Sequence, residues 1–233
     1  IDISKKNDET KIVVEGKKEL LAKNIEVPGD LSSSAFFIVA ALINQNSKIK
    51  LKNININPTR NGILLALEKM GAKIKLTNKK FINNEKIADI FVKSSNKLKP
   101  INCPIEMNSR SIDEFLIIFL VCSVANGVSK FRQIGELRNK ETDRLKFANN
   151  FLKKIGIKTK MTKNSFKIYG KPNLKLNKTY EIKNFDKDHR ACMVSFIAAL
   201  VLGGKWIIHD IDYIKTSFPN FIQLLKNLGA KIN

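Results

Sequence analysis

The 233-residue sequence is poor in the residues that build disulfides and metal sites. It has 3 cysteines and 2 histidines, no CxxC pair, and no spacing typical of zinc or calcium sites. Two of the thiols, Cys122 and Cys192, lie within apolar runs, which indicates buried, reduced cysteines in a cytosolic protein. We therefore expect reduced thiols, a cytoplasmic location and no bound metal.

Long apolar runs and a recognisable leader are also missing. The longest apolar runs, residues 115–125 and 192–202, are shorter than the ~20 residues that a membrane-spanning helix needs, so we expect no membrane partner. Residues 1–23 are polar and mixed in charge, unlike a signal peptide. The chain opens at Ile1 rather than at methionine, which is expected of a fragment or of a processed chain.

Acidic residues are outnumbered, with 21 Asp and Glu against 42 Lys and Arg and a net charge of +21. A nucleic acid or another polyanion would explain this charge, and so would an anionic small-molecule substrate. The lysines, however, alternate with Ile and Leu, as in Lys48-Ile49-Lys50-Leu51-Lys52, which is typical of a solvated strand face. No basic cluster is interleaved with aromatics, so we favour a lysine-rich composition over a nucleic-acid-binding module and expect no nucleic acid partner.

A repeat of helix ends divides most of the chain into three units. In each unit an aspartate precedes an apolar helix, and a glycine about 40 residues later ends a second, amphipathic helix. The three pairs are Asp30 with Gly71, Asp113 with Gly156, and Asp188 with Gly229. An alternating strand follows each glycine, and further strands are predicted at residues 88–93 and 165–169. We therefore expect three copies of one compact unit.

The first helix of each unit has no polar face. These helices span residues 35–43, 115–125 and 192–202, and short helices of this kind must be enclosed by protein. The strands carry apolar residues on one face and lysines on the other. The pattern predicts a mixed α/β domain with three enclosed helices and strands around them.

The opening stretch stands outside the three units. It contains one predicted strand, residues 11–15, and ends near Val27-Pro28-Gly29, where the Pro-Gly pair marks a turn. We expect residues 1–27 to be the end of a first domain and a crossover. Residues 28–233 would form a second domain, with repeats that start near Asp30, Asp113 and Asp188.

Charged side chains collect at three predicted helix starts. A helix start presents free N–H groups and the positive end of the dipole, and added Lys or Arg makes it a site for a phosphate or carboxylate. Because the units are copies, we expect the three starts to lie at one end of the domain. The clusters are Ile112-Asp113-Glu114, Lys140-Glu141-Thr142-Asp143-Arg144 and Asp188-His189-Arg190.

Each cluster also has a purely structural interpretation. Asp30, Asp113 and Asp188 all suit N-cap positions, and for the first and last of these capping is favoured over catalysis. Lys140 and Arg144 could simply be two solvated cations, four residues apart on one helix face. The remaining charged residues could be ordinary first-turn side chains.

Taken together, the motifs resemble those of a known family. Lys140-Glu141-Thr142-Asp143-Arg144-Leu145 and Asp188-His189-Arg190 are similar to the two signature segments of EPSP synthases. The similarity continues in the family's order across almost the whole chain. The further matching segments are Val27-Pro28-Gly29-Asp30, Ser32-Ser33-Ser34-Ala35-Phe36, Asn57-Pro58-Thr59-Arg60-Asn61-Gly62, Ile112-Asp113-Glu114-Phe115, Glu136-Leu137-Arg138 and Ser217-Phe218-Pro219.

The resemblance implies an inside-out α/β (α+β) domain of three βαβαββ units, with helices inside and sheets outside. In the family this is the C-terminal half of a two-domain enzyme, and a short N-terminal segment of the chain completes it. Substrates bind in the cleft between the domains. The missing N-terminal half would therefore be a partner of this chain, and we expect the isolated chain to be inactive.

The activity implied is transfer of the enolpyruvyl group of phosphoenolpyruvate to the 5-hydroxyl of shikimate 3-phosphate, with release of phosphate. It belongs to the shikimate pathway, which leads to chorismate and the aromatic amino acids, and it needs no metal or organic cofactor. By the resemblance, Asp113 would hold and deprotonate the 5-hydroxyl, and Glu141 would carry a proton to and from the methylene group. The implied substrate-binding residues are Glu136 and Lys140 on the shikimate side, and Arg144, His189 and Arg190 on the phosphoenolpyruvate side.

A related transferase that acts on UDP-N-acetylglucosamine is the alternative enzyme, because it shares the fold and the phosphoenolpyruvate chemistry. The Lys-Glu-Thr-Asp-Arg and Asp-His-Arg segments favour EPSP synthase. The chain departs from the family at Lys187, where a small or amide residue is usual. The serines at 32–34 are interpreted as a helix start rather than a substrate clamp.

Overall fold

The computed structural model describes residues 2–7 and 9–232, which contain ten strands and seven α-helices. The strands are β1 (Asp2–Lys6), β2 (Glu9–Val13), β3 (Lys48–Asn55), β4 (Lys73–Ile82), β5 (Glu85–Lys93), β6 (Val128–Arg132), β7 (Lys158–Met161), β8 (Ser165–Tyr169), β9 (Leu176–Ile182) and β10 (Gly203–Ile208). The helices are α1 (Leu31–Ile43), α2 (Gly62–Lys69), α3 (Asn108–Ser111), α4 (Phe115–Val124), α5 (Arg144–Lys154), α6 (His189–Leu202) and α7 (Phe221–Asn227). Within these described ranges, every helix is too short or too polar to cross a bilayer.

The first two units share one topology. In each, a three-stranded antiparallel sheet has its last strand in the middle: β5 lies between β3 and β4, and β8 lies between β6 and β7. A parallel bridge ahead of each apolar helix joins Gly29 to Ile54 and Asn102 to Lys130. The order is therefore extended residue, helix, strand, helix, strand, strand, as the repeat predicts.

The third unit contains β9, α6, β10 and α7. Strand β9 precedes α6 and pairs in parallel with β10, and α7 follows. In the part of the chain that the structure describes, this sheet has two strands, without the pair that closes the other two units. The predicted helices are therefore present in all three units, whereas the strand predicted after Gly229 is not formed in residues 230–232.

Helices α1, α4 and α6 are buried and pack against one another. In α4 every side chain from Phe115 to Ser123 is buried, because the helix has no polar face to present to water. Strand β3 alternates as predicted: its lysines are exposed, whereas Ile49 and Leu51 pack against the core. The mixed α/β fold is confirmed, and the burial of α1, α4 and α6 agrees with the prediction of three apolar helices in the core.

Two of the three repeat aspartates cap their helices. Asp30 accepts hydrogen bonds from the backbone N–H groups of Ser32 and Ser33, at 3.2 and 2.7 Å, and Asp188 does the same at the start of α6. The N-cap interpretation is wrong for Asp113. Helix α4 begins one residue later, with Glu114 at the cap position and no side-chain cap bond, so the Asp113 carboxylate is free to meet other partners.

The predicted glycine helix ends are confirmed. Gly71, Gly156 and Gly229 have φ angles of +82°, +81° and +97°, the left-handed conformation that ends a helix without a Cβ clash. The chain then turns directly into β4 after the first glycine and into β7 after the second. The repeat seen in the sequence is therefore a repeat of helix geometry.

The opening stretch is exposed. Strands β1 and β2 form an antiparallel hairpin, and residues 14–28 contain no regular helix or strand. The strand predicted at residues 11–15 overlaps β2, which ends at Val13. The division into domains at residue 27 stays a prediction.

Candidate functional site

The charged clusters predicted at three helix starts come together in the folded chain. The starts of α4, α5 and α6 contribute Asp113, Arg144 and Asp188. Nη1 of Arg144 lies 3.4 Å from Oδ1 of Asp113, and its Nε lies 2.8 Å from Oδ2 of Asp188. The convergence expected from the repeat is therefore observed.

Arg144 is the buried centre of this cluster. Its side chain is 1% exposed, and its three nitrogens face the carboxylates of Asp188, Asp113 and Glu141, the last at 2.6 Å from Nη2. A buried guanidinium requires such partners, because an unpaired charge is costly to remove from water. The interpretation of Lys140 and Arg144 as a solvated pair is therefore wrong.

The carboxylate of Asp113 is surrounded by basic side chains. Arg60 Nη2, Arg144 Nη1 and Lys140 Nζ lie 3.2, 3.4 and 3.7 Å from its oxygens, and Arg190 donates to its backbone carbonyl at 3.1 Å. Burial acts most strongly and would raise the pKa of Asp113, but the summed attraction of the four cations holds that pKa below its usual value. Asp113 is therefore ionised at neutral pH.

The adjacent Glu114 has the opposite environment. Its side chain is 2% exposed, accepts a hydrogen bond from Ser32 Oγ, and lies 3.7 Å from Arg190 Nη1. Burial raises the pKa of Glu114 above its usual value, and the Ser32 and Arg190 contacts offset only part of that shift. Two consecutive carboxyls thus have pKa values moved in opposite directions, an arrangement that suits two different tasks.

The two acids in the segment before α5 have different roles: Asp143 stabilises the helix start, and Glu141 is accessible to solvent. Asp143 caps α5 by accepting from the Lys146 N–H at 2.8 Å, and it pairs with Arg138 at 2.6 Å. Glu141 remains 45% exposed while it contacts Arg144. Glu141 is therefore the acid of this segment that a ligand can approach.

The shikimate-side residues expected from the resemblance lie next to each other. Lys140 Nζ is 3.5 Å from Oε1 of Glu136, four residues earlier, and both adjoin Asp113 through the lysine. Glu136 is exposed, so it lies at the rim of the cluster.

His189 is the first residue of α6 and is half-buried. Burial, with a smaller contribution from the neighbouring Arg190, lowers the pKa of His189 below its usual value. The imidazole is therefore neutral at pH 7 and can act as a hydrogen-bond donor or acceptor beside Arg190.

Sequence reasoning assigned no role to Arg60, Ser32 or Glu114. The serine turn is a helix start, as predicted, but Ser32 also links Glu114 to Arg60, whose Nη2 donates to Ser32 Oγ at 3.3 Å. Arg60 precedes Asp113 by 53 residues, so only the folded chain brings them together. The available signals were that all three residues stand inside segments that resemble the family, and that Glu114 belongs to a charged cluster at a predicted helix start.

Metal ligands do not assemble around this cluster. Across residues 2–7 and 9–232, no group of three or more His, Cys, Asp or Glu side chains is placed to hold a metal ion. The acids of the site face basic side chains and a hydroxyl instead.

Two solved structures have folds similar to that of this chain. The crystal structure of the enolpyruvyl transferase NikO from Streptomyces tendae matches this chain with a TM-score of 0.65, over 87% of this chain and 43% of that one. At 17% identity this match shows a shared fold alone. An EPSP synthase structure from Acinetobacter baumannii matches with a TM-score of 0.89 and 35% identity, over 100% of this chain and 52% of that one.

The chain belongs to the EPSP synthase family. The sequence model of that family, described as EPSP synthase (3-phosphoshikimate 1-carboxyvinyltransferase), matches residues 1–225. Relatives with the name 3-phosphoshikimate 1-carboxyvinyltransferase include those of Petrotoga mobilis, 41% identical over 98% of this chain, and Geobacter metallireducens, 38% identical over 94%. These matches cover 52% and 50% of the two relatives, so the chain spans about half their length.

Proposed function

We propose that this chain is the C-terminal part of a cytoplasmic EPSP synthase. The protein transfers the enolpyruvyl group of phosphoenolpyruvate to the 5-hydroxyl of shikimate 3-phosphate and releases phosphate. The observation that carries this proposal is the cluster of Asp113, Lys140, Glu141 and Arg190, gathered from three helix starts in a chain that belongs to this family. Residues 1–27 would end the first domain, and residues 28–233 would form the second.

Asp113 is the proposed base for the 5-hydroxyl. The surrounding cations keep it ionised, which is the correct protonation state but makes it a weak base. Anionic substrates bound to those cations would offset their charge and raise the pKa of Asp113. Substrate binding would thus strengthen the base that acts on the substrate.

Glu141 is the proposed carrier of a proton to and from the methylene carbon. Its exposed carboxyl can reach a ligand, and Arg144 orients it at 2.6 Å. Arg144 is itself anchored by the buried Asp188. For Arg144 to contact phosphoenolpyruvate as well, Glu141 must first move away from it, since the guanidinium is otherwise enclosed.

The basic residues at the surface of the cluster are proposed to bind the substrate anions. Lys140, with Glu136 beside it, would bind shikimate 3-phosphate, and Arg190 with the neutral His189 would bind phosphoenolpyruvate. The positive ends of the α5 and α6 dipoles add to the attraction for phosphate and carboxylate. Bringing two mutually repelling anions together is the main electrostatic task of such a site.

The cluster by itself has too little positive charge for that task. Five carboxyls face four basic side chains in it. The acids are Asp113, Glu114, Glu136, Glu141 and Asp188, and the bases are Arg60, Lys140, Arg144 and Arg190. We propose that the missing N-terminal half supplies further cations and the facing wall of the cleft, so that the isolated chain is inactive.

The activity is tested in the protein with both halves. Phosphate release from phosphoenolpyruvate in the presence of shikimate 3-phosphate should occur in the unaltered protein and fall at least about 100-fold in Glu141→Gln. Glu68→Gln, which removes an exposed acid of α2, is the matched control and should keep full activity. A folded protein without phosphate release would overturn the proposal.

The need for the missing half is tested separately. The present chain alone should release no phosphate, and the separately expressed N-terminal half should restore turnover when added. Normal turnover by this chain alone would contradict the proposed division of the site between two halves.

A further inference from the structure

We propose that Ser32 and Glu114 are positioning residues that hold Arg60 against the carboxylate of Asp113. The inference rests on the proposed function, because its consequence is the placement of the proposed base. Neither residue needs to touch a substrate. Their contribution is to keep a long, mobile arginine in one place.

A single nitrogen of Arg60 joins the two carboxyls. Its Nη2 lies 3.2 Å from Oδ2 of Asp113 and 3.3 Å from Oγ of Ser32. The Ser32 hydroxyl in turn donates to Oε1 of Glu114. The contacts therefore run from Glu114 through Ser32 and Arg60 to Asp113.

The direction of each hydrogen bond follows from the chemistry of the groups. A hydroxyl has one hydrogen to donate and lone pairs to accept with, while a guanidinium only donates. Because the Ser32 hydrogen is directed at the Glu114 carboxyl, the lone pairs of Oγ remain available to Arg60. Glu114 thus sets the orientation in which Ser32 can accept from the arginine.

The two supporting residues and the arginine that they hold differ in their exposure to solvent. Ser32 and Glu114 are buried, whereas the Arg60 side chain is 54% exposed. An exposed arginine gives up considerable rotamer freedom when it is fixed, and an isolated surface ion pair contributes little. The buried pair provides a rigid acceptor for Arg60, as is typical of groups that support a site from behind.

Glu114 also faces the other side of Asp113. Its Oε1 lies 3.7 Å from Nη1 of Arg190, the nitrogen that donates to the Asp113 carbonyl oxygen at 3.1 Å. The same buried carboxyl is therefore connected to the arginine that contacts the Asp113 side chain and to the one that contacts its backbone. Loss of the Glu114 carboxyl would therefore weaken the contacts of both arginines with Asp113.

The test is Ser32→Ala in the protein with both halves, with Ser33→Ala as the matched control. Ser33 lies in the same helix turn, but its hydroxyl donates to Asp30 and not to the cluster. We expect Ser32→Ala to lower kcat about tenfold, the loss typical of one hydrogen bond to a charged group, with little change in the KM of either substrate. Ser32→Thr, which keeps a hydroxyl, should restore most of the activity, and Ser33→Ala should keep all of it.

A second variant tests Glu114. Glu114→Gln keeps the shape of the side chain, but its amide group can donate as well as accept hydrogen bonds. We therefore expect it to lower kcat, as Ser32→Ala does. Combined with Ser32→Ala, its effect should be smaller than the product of the two single effects, because both act through Arg60. Effects that multiply would show that the two residues act independently and would overturn the inference.

Failure of this inference differs from failure of the proposed function. Wild-type kcat in Ser32→Ala, in a protein that transfers enolpyruvyl groups normally, overturns the positioning role and leaves the activity intact. If the protein lacks transferase activity, the crystal structure of Ser32→Ala decides. Arg60 turned away from Asp113 supports the inference, and Arg60 still in contact with Asp113 overturns it.

Discussion

Arg144 donates through its Nε to Oδ2 of Asp188 at 2.8 Å, and the two side chains are only 1% and 0% exposed. This contact joins the start of α5 to the start of α6, and hence the second unit to the third. The same guanidinium faces Asp113 of α4 and Glu141. The geometry of the proposed active site therefore depends on one buried ion pair.

Removal of Arg144 should be costly for folding. Arg144→Ala would leave Asp188 buried without its charge partner, and we expect the free energy of unfolding to fall by about 3–5 kcal/mol. Arg60→Ala also removes an arginine that contacts Asp113, but a half-exposed one, so its cost should stay below about 1 kcal/mol. Urea denaturation of both variants measures the difference, and equal losses would contradict the central role of Arg144.

Asp89 of β5 should give the protein a stability that depends on acid pH. The Asn53 N–H, Lys50 Nζ and the Asn78 side-chain amide lie 3.0, 3.1 and 2.8 Å from its oxygens, and together they lower the pKa of Asp89 from 3.8 to about 2. Because the folded pKa is the lower one, the ionised carboxylate stabilises the fold above about pH 4, and this contribution is lost as the pH falls towards 2.

Asp89→Asn isolates that contribution. Its Tm should be lower than that of the unaltered protein at neutral pH, and the gap should close between about pH 4 and pH 2. Asp212→Asn, which removes an exposed acid paired with Lys215, is the control and should change the Tm little, because an exposed ion pair contributes little to stability. A gap that persists at pH 2 would mean that Asp89 stabilises the fold through shape rather than charge.

Two glycines should respond differently to alanine. Gly156 has a φ of +81° and open space where a Cβ would lie, so Gly156→Ala carries only the backbone penalty, about 1–2 kcal/mol. A Cβ on Gly170 would lie 2.1 Å from the carbonyl oxygen of Ala125 and 2.6 Å from that of Cys122. Gly170→Ala should therefore lower the free energy of unfolding by about 3 kcal/mol or more. Thermal unfolding compares the two, and the reverse order would be incompatible with this packing.

The three thiols should be unreactive in the folded chain. Burial raises the pKa of Cys122 and Cys192 to about 12, and burial with a nearby Glu106 raises that of Cys103 to about 11. The reactive thiolate is therefore scarce at pH 8. Iodoacetamide followed by mass spectrometry should find no adduct in the native protein and three after denaturation. Rapid labelling of the native form would contradict the burial of these side chains.

Helix positions were predictable because their signals are local. An apolar run such as residues 115–125 can only be an enclosed helix, and Gly156 marks a helix end by its own backbone preference. The third sheet was not predictable in the same way. A strand is recognised by pattern, but its partners come from elsewhere in the chain, and nothing in the sequence of β9 indicates its parallel pairing with β10.

Only the local features of the site could be predicted from the sequence. The acids and arginines at helix starts could be selected from the sequence because each belongs to a short segment. The burial of Arg144 could not, since the spacing from Lys140 to Arg144 is the same for a solvated pair and a buried centre. The contact of Arg60 with Asp113 depends on the path of the 52 residues between them.

The late start of α4 breaks the threefold symmetry of the repeat. Asp30 and Asp188 are bound to backbone N–H groups, so their carboxylates serve the architecture. At the equivalent place in the middle unit, α4 begins one residue later, so the Asp113 carboxylate does not cap the helix. In the proposed site, one unit of an internally repeated scaffold would thus supply the reactive carboxylate, while the equivalent aspartates of the other two units cap their helices.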